Sequence, residues 1–213
     1  MSQVVCIMGE SGSGKTTSCR NLDPSTTFYI DCDLKGLSWK GWRKQYNVEN
    51  KNYYKGNFPT MVMKYLDNIN KNAKHIKTVV IDTLNGIMIG EEMRSRSNKN
   101  YDKWTDLAGY VYDIVEYALT VRDDLNVVFI AHTQTETNDL GYTFTRIKTS
   151  GRKLDKISLE SKFTTVLLSK KIDDSYVFET QSNNSTAKSP MGAFETLMIP
   201  NDIVTVLEAL DEF

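Results

Sequence analysis

The chain has 213 residues, and its 26 Lys and Arg against 27 Asp and Glu give a formal net charge of −1. That balance excludes a uniformly basic nucleic-acid binder but permits local basic patches, and the length suits one domain, 1–213, with a real hydrophobic core. No apolar run approaches the roughly 18 residues of a membrane span. No leader is expected, and Cys6, Cys19 and Cys32 form an odd set without C-x-x-C spacing, so a cytoplasmic chain with reduced thiols is expected.

The first element is the apolar run Val4-Val5-Cys6-Ile7-Met8, read as a buried strand. It feeds Gly9-Glu10-Ser11-Gly12-Ser13-Gly14-Lys15-Thr16-Thr17, in which Gly9, Gly14, Lys15 and Thr16 fit G-x-x-x-x-G-K-[ST], the phosphate-cradling P-loop. Glycines let successive N–H groups turn inward on a phosphate, and the start of a following helix adds its positive end. Lys15 is expected at the β- and γ-phosphates, Thr16 on Mg²⁺, and Thr17 lining the same turn. Lys15 to Leu22 is expected as that short helix, closed by Asp23-Pro24.

Thr26 to Ile30 is β-branched and aromatic, a strand running into Asp31-Cys32-Asp33. Carboxylates at the C-terminal end of such a strand stand where ligands bind, so Asp33 reads either as the group orienting an attacking water or as a turn cap. Residues 34–58 interleave Lys35, Lys40, Arg43, Lys44, Lys51 and Lys55 with Trp39, Trp42, Tyr46, Tyr53 and Tyr54. That mixture suits stacking on a single strand, or equally aromatics packed onto the core.

Pro59 and Thr60 open a helix with Val62, Leu66, Ile69 and Ala73 on one face. Thr78-Val79-Val80-Ile81-Asp82-Thr83 is an apolar strand ending in an aspartate, the expected Walker B element, with Asp82 on Mg²⁺. Glu91 to Lys103 lacks apolar periodicity and reads as a loop, after which Leu107, Val111, Ile114, Val115, Ala118 and Val121 resume a helix. Asn126 to Ala131 is another buried strand, leading into His132-Thr133-Gln134. His132 there reads as a γ-phosphate sensor or as a histidine satisfied at a sheet edge.

Residues 136–158 carry Arg146, Lys148, Arg152, Lys153 and Lys156, and Thr143 to Lys148 alternates like a hairpin arm. Phe163 to Ser169 and Tyr176 to Thr180 read as strands joined at Asp173-Asp174. Ala193 to Ile199 extends again, and Asp202 opens a terminal helix with Ile203, Val206, Leu207 and Leu210.

This order of elements resembles the RecA-like ATPase core, and more closely the compact phage-encoded ATP-binding proteins of that superfamily implicated in single-strand annealing and recombination. The resemblance covers about residues 3–200 by pattern, and only its P-loop and Walker B motifs are specific. It implies a three-layer α/β P-loop NTPase with a mostly parallel central sheet and a C-terminal antiparallel extension. It further implies ATP and Mg²⁺ as cofactors, Asp33 as the water-activating carboxylate in a place where relatives usually carry glutamate, and His132, with Gln134 behind it, as the coupling residue.

The loops at 90–104 and 136–157 then fall where relatives hold single-stranded DNA, with Arg94, Arg96, Lys99, Lys103, Arg146, Lys148, Arg152 and Lys153 as contacts. Lys188, on a late hairpin, reads as a cation reaching a neighbour's ATP in a homo-oligomer, or as a solvated lysine. A single-strand-binding protein is a further implied partner, and host cytoplasm the implied location. The expected function is an ATPase acting on single-stranded DNA, against a nucleoside or nucleotide kinase and a non-hydrolysing ATP-gated adaptor or loader.

Overall fold

The computed structural model describes residues 2–96, 102–150 and 158–213. Nine strands form one sheet: β1 (Val4–Gly9), β2 (Thr27–Asp31), β3 (Tyr53–Lys55), β4 (Thr78–Asp82), β5 (Asn126–Thr137), β6 (Thr143–Ile147), β7 (Thr165–Ile172), β8 (Ser175–Glu179) and β9 (Met198–Pro200). Their order is β3-β2-β4-β5-β1-β7-β8-β9, with β6 paired to the outer half of β5. The strands from β3 to β7 are parallel, while β8, β9 and β6 are antiparallel additions. The expected α/β architecture with an antiparallel C-terminal extension is therefore present.

Strands β1, β2 and β4 are buried along their whole length, which is why they read as unbroken apolar runs: both faces are covered. A short helix, α1 (Trp42–Gln45), lies between β2 and β3. Met8, Ile30, Ile81 and Phe129 face α2 (Pro59–Asn72), α3 (Leu84–Arg94) and α4 (Asp102–Ala118). On the other face Ile7, Tyr29, Val80 and Val128 meet Leu22, Tyr46 and the apolar side of α5 (Ile203–Leu210). Asp202 caps α5 through a hydrogen bond from the Val204 N–H, as its position before the helix predicts. Among the described residues no helix is long and apolar enough to cross a membrane.

Three elements differ from expectation. The P-loop is followed by a single 3₁₀ turn, Thr16–Cys19, and not by an α-helix reaching Leu22. The physical reason lies in Thr16, Thr17 and Ser18: hydroxylated side chains compete for backbone partners, and Ser18 Oγ donates to Lys15 O at 2.6 Å. Residues 91–94, expected in a loop, instead complete α3, which Thr83 caps by accepting from the Gly86 N–H at 3.0 Å. Finally, residues around Lys188 are no hairpin tip: Lys188 exchanges backbone hydrogen bonds with Val166 in β7, both 2.8 Å.

Candidate nucleotide site

Parallel strands align their C-terminal ends, and the register sets which residues meet there. Gly9 is level with His132, Met8 with Ala131, and Asp82 with both Ile130 and Asp31. Strand β5 thus separates the P-loop strand from the strand carrying Asp82, and places His132 between them. A crevice outside the carboxyl ends of such strands is the standard ligand position in an α/β sheet.

The loop itself is built on glycine. A side chain at Gly9 would come within 2.7 Å of the Ser169 carbonyl and 2.5 Å of Ser13 Oγ, so β7 and the loop can close only over a hydrogen atom. Gly14 has φ +95° and lies under the Tyr176 ring, 2.8 Å from where a Cβ would stand. Glu10, Ser11 and Gly12 are exposed at the tip. Buried Ser13 accepts through its carbonyl from Ser169 Oγ at 2.7 Å.

Lys15 donates to the carbonyls of Gly9 at 2.8 Å and Glu10 at 2.6 Å, folded back along the loop. Burial lowers its pKa to about 8, with Asp82 and Asp33 opposing the fall. Thr17 lies against Ser38, their hydroxyls 2.9 Å apart. The following turn is so short that it adds little helix dipole to the loop.

Asp82 is fully buried at the end of β4. Its Oδ2 accepts from Thr16 Oγ1 at 2.8 Å and from Tyr29 OH at 2.7 Å, while Oδ1 is buried without a hydrogen-bond partner. Desolvation raises its pKa, against the pull of the Tyr29 and Thr16 hydrogen bonds. A bare buried carboxylate oxygen beside a threonine hydroxyl is the donor set a hard divalent cation takes, so Thr16 and Asp82 fit Mg²⁺. The next peptide, Asp82–Thr83, is cis.

Asp33 stands two residues beyond β2. Thr83 Oγ1 donates to its Oδ1 at 2.7 Å and Lys35 Nζ to its Oδ2 at 2.6 Å, with His132 Nε2 at 3.9 Å. Burial alone would raise its pKa; His132, Lys35 and Thr83 outweigh that and hold the carboxyl well below the usual range. Three of these neighbours, Lys35, Thr83 and His132, line a cleft of about 300 Å³ together with Gly14, Lys15, Thr16 and Tyr176, and Asp33 stands behind them.

Two of these groups were not singled out from sequence: Lys35 belonged to a diffuse basic run, and Asn85 to the first turn of an unforeseen helix. Thr83, which the resemblance pairs with Asp82 at the magnesium, caps that helix and donates to Asp33. Asn85 is buried, accepting from the His132 N–H at 2.7 Å and donating to Lys148 O at 2.8 Å. It ties α3 to the middle of β5. Gly86 lets α3 approach the segment after β2, since a Cβ there would stand 2.5 Å from the Cys32 carbonyl. A cap-type threonine directly after the Walker B aspartate was the available signal.

The cations expected on DNA divide sharply. Arg146 is buried in β6, bonded to Glu160 through Nε and Nη2, both 3.4 Å, and to Glu136 at 3.3 Å. Arg94 pairs with Glu91, donates to Asn57 and stacks 4.0 Å over Phe58. Buried Arg146 is held between two carboxylates, whereas exposed Arg94 is held by one carboxylate and the neutral oxygens of Asn57. Arg96 is exposed just past α3. Lys148 is exposed on a groove that also holds Ser11, Asn85 and His132. Lys99, Arg152, Lys153 and the side chain of Lys103 lie outside the described residues. Gln134 is engaged by Glu136, donating to it at 2.7 Å. Three rings of the 34–58 segment turn inward: Tyr46 is fully buried, Tyr53 OH donates to Asp31 Oδ2 at 2.8 Å, and Trp39 meets Tyr29 edge-on.

No curated protein matches the chain in sequence. The sequence profile of an AAA domain, AAA_24, matches residues 1–191, spanning every element from β1 to the segment before β9. On that match and on the P-loop, the chain belongs to the AAA-domain family of ATP-binding P-loop NTPases.

Proposed function

We propose that this protein is a Mg²⁺-dependent ATPase whose cleft is completed by the residues around Asp33. The observation that carries the reading is the Thr16–Asp82 pair at the foot of the P-loop, with one carboxylate oxygen left bare. Thr16 and Asp82 would hold Mg²⁺, which when bound neutralises developing charge on the phosphates. Lys15 leaves the Gly9 and Glu10 carbonyls for the triphosphate, a stronger partner for an ammonium. Lys35, which lines the same cleft, exchanges Asp33 for a phosphate oxygen and frees Oδ2 to hold a water. Phosphoryl transfer has a loose transition state and asks for orientation more than for a strong base, so a carboxylate as acidic as Asp33 suffices. His132, near Asp33 and level with Gly9, registers the γ-phosphate and passes the state along β5 to the groove holding Lys148.

Single-stranded DNA in recombination or annealing is our reading for that groove, with Lys148 and Arg96 as cations available among the described residues. A homo-oligomer with Lys188 acting on a neighbour's nucleotide completes it. A non-hydrolysing adaptor is the second reading, favoured by the engagement of both Asp33 oxygens. Steady-state hydrolysis measured across protein concentration, with Mg²⁺ or EDTA and with or without single-stranded DNA, tests all of these. Hydrolysis that persists in EDTA overturns the metal reading, and a rate flat in DNA and concentration removes the DNA and oligomer parts. An adaptor loses ATP binding in Lys15→Ala and almost nothing in Asp33→Ala.

A further inference from the structure

The chemistry above leaves unused the aromatic block that joins β2 to β3. Its rings do not face solvent as a stacking platform. Tyr29, Trp39 and Tyr46 meet edge to face, with centroids 5.5 Å apart for Tyr29–Tyr46, 6.3 Å for Tyr29–Trp39 and 6.1 Å for Trp39–Tyr46. Tyr29 is fully buried at the centre of this group, and its hydroxyl reaches along the same face of the sheet to Asp82 Oδ2 at 2.7 Å.

Thr16 donates to that same oxygen from the P-loop side, at 2.8 Å. Two donors from separate elements therefore converge on Oδ2, and Oδ1 is left buried and without a partner. The terminal torsion of an aspartate is broad and two-fold, so a single hydrogen bond lets the oxygens exchange. Two donors fix which one is which. Thr16 is itself expected on the metal, so its hydroxyl serves two roles. Tyr29 is locked by its neighbouring rings, and its hydroxyl, which also lies beside the buried Cys19 thiol, has the carboxylate as its strong partner.

We propose that Tyr29 is a positioning residue for the metal that accompanies the nucleotide: its hydroxyl anchors the Oδ2 edge of Asp82 and leaves Oδ1 presented to a divalent cation. The inference rests on the Mg²⁺-ATP reading above. It also assigns a purpose to the 34–58 segment, whose aromatics hold the Tyr29 ring at the angle that delivers its hydroxyl.

The test uses the full chain with a non-hydrolysable ATP analogue. Mn²⁺ is titrated and the free aquo ion followed by electron paramagnetic resonance, and analogue binding in EDTA is measured separately by calorimetry. Tyr29→Phe keeps the ring and removes the hydroxyl. It is expected to weaken Mn²⁺ about tenfold, the usual effect of removing an outer-shell partner, and to leave metal-free analogue binding within about twofold. Tyr46→Phe, whose hydroxyl makes a 3.4 Å contact with Leu22 O, is the packing control and keeps wild-type Mn²⁺ affinity. Should Tyr29→Phe not fold, Tyr29→Met replaces it with the same expectation. Wild-type Mn²⁺ affinity in the Tyr29 variant, or an equal loss in Tyr46→Phe, overturns the positioning role alone. Wild-type protein that binds neither Mn²⁺ nor the analogue overturns the ATPase reading and this inference with it.

Discussion

Replacing Arg146 separates a structural cation from a DNA contact. Its side chain is 9% exposed and the Glu160 side chain 7%, so the pair is desolvated, whereas Glu136 is 33% exposed and gains little. In Arg146→Met the Glu160 carboxylate keeps the Ile147 N–H at 2.8 Å and a long contact from Thr186 Oγ1 at 3.5 Å. Among the described residues it loses its only cation within 4 Å. Breaking one side of a buried pair costs about 3 to 5 kcal/mol, and the longish 3.4 Å contacts place this site near the lower end, about 3 kcal/mol. For a chain of this size that is a fall in Tm of about 6–12 °C by calorimetry. Glu160→Gln retains an acceptor for the Ile147 N–H and removes the stranded charge, so the double variant Arg146→Met/Glu160→Gln recovers at least about half of the loss. Affinity for single-stranded DNA, measured well below Tm, is unchanged in both. An Arg146→Met protein with wild-type Tm and a smaller salt dependence of DNA binding would refute this assignment.

Lys15 gives the pH prediction. Its pKa is lowered to about 8 in the free protein, and a triphosphate restores the charged form, so the bound state holds more protons than the free state. ATP binding at pH 8 therefore takes up about half a proton and at pH 6.5 almost none, and affinity falls about tenfold per unit once pH exceeds the free-state value. Calorimetry in buffers of different ionisation enthalpy reads the uptake directly; proton release at pH 8 contradicts the geometry. Asp33→Asn is expected to lower kcat about a hundredfold and leave ATP affinity within about twofold, since in the proposed mechanism the group orients water and does not bind the phosphate chain. Because Asp33 is held ionised below the usual carboxylate range, it contributes no acid limb to turnover between about pH 5 and 8. Lys148→Ala is expected to reduce the salt slope of single-strand binding by about one counterion equivalent at unchanged Tm; an unchanged slope removes Lys148 from the interface.

What was legible in the sequence, and what was not, follows from the range of the interactions concerned. The strands β1, β2, β4 and the inner half of β5 show in composition because burial on both faces demands an apolar residue at each position. Gly9, Gly14, Lys15, Thr16 and Asp82 show because backbone geometry and phosphate chemistry fix residue type over a few neighbours. Helix α3 was hidden because only its first half is buried, at Leu84, Ile87 and Met88, leaving a polar second half that mimics a loop. The 3₁₀ turn was hidden by a helix-like motif whose hydroxyls bond the backbone instead. Whether a charge is available is the least legible property of all. Arg146 and Lys148 are two residues apart on one alternating segment, yet Glu160 claims the first, and among the described residues no ion pair holds the second. That difference is made by a helical turn more than ten residues away. The same holds at the centre of the site: Asp82 was nameable from its own strand, but which of its oxygens remains free was decided by Tyr29, one strand over in β2.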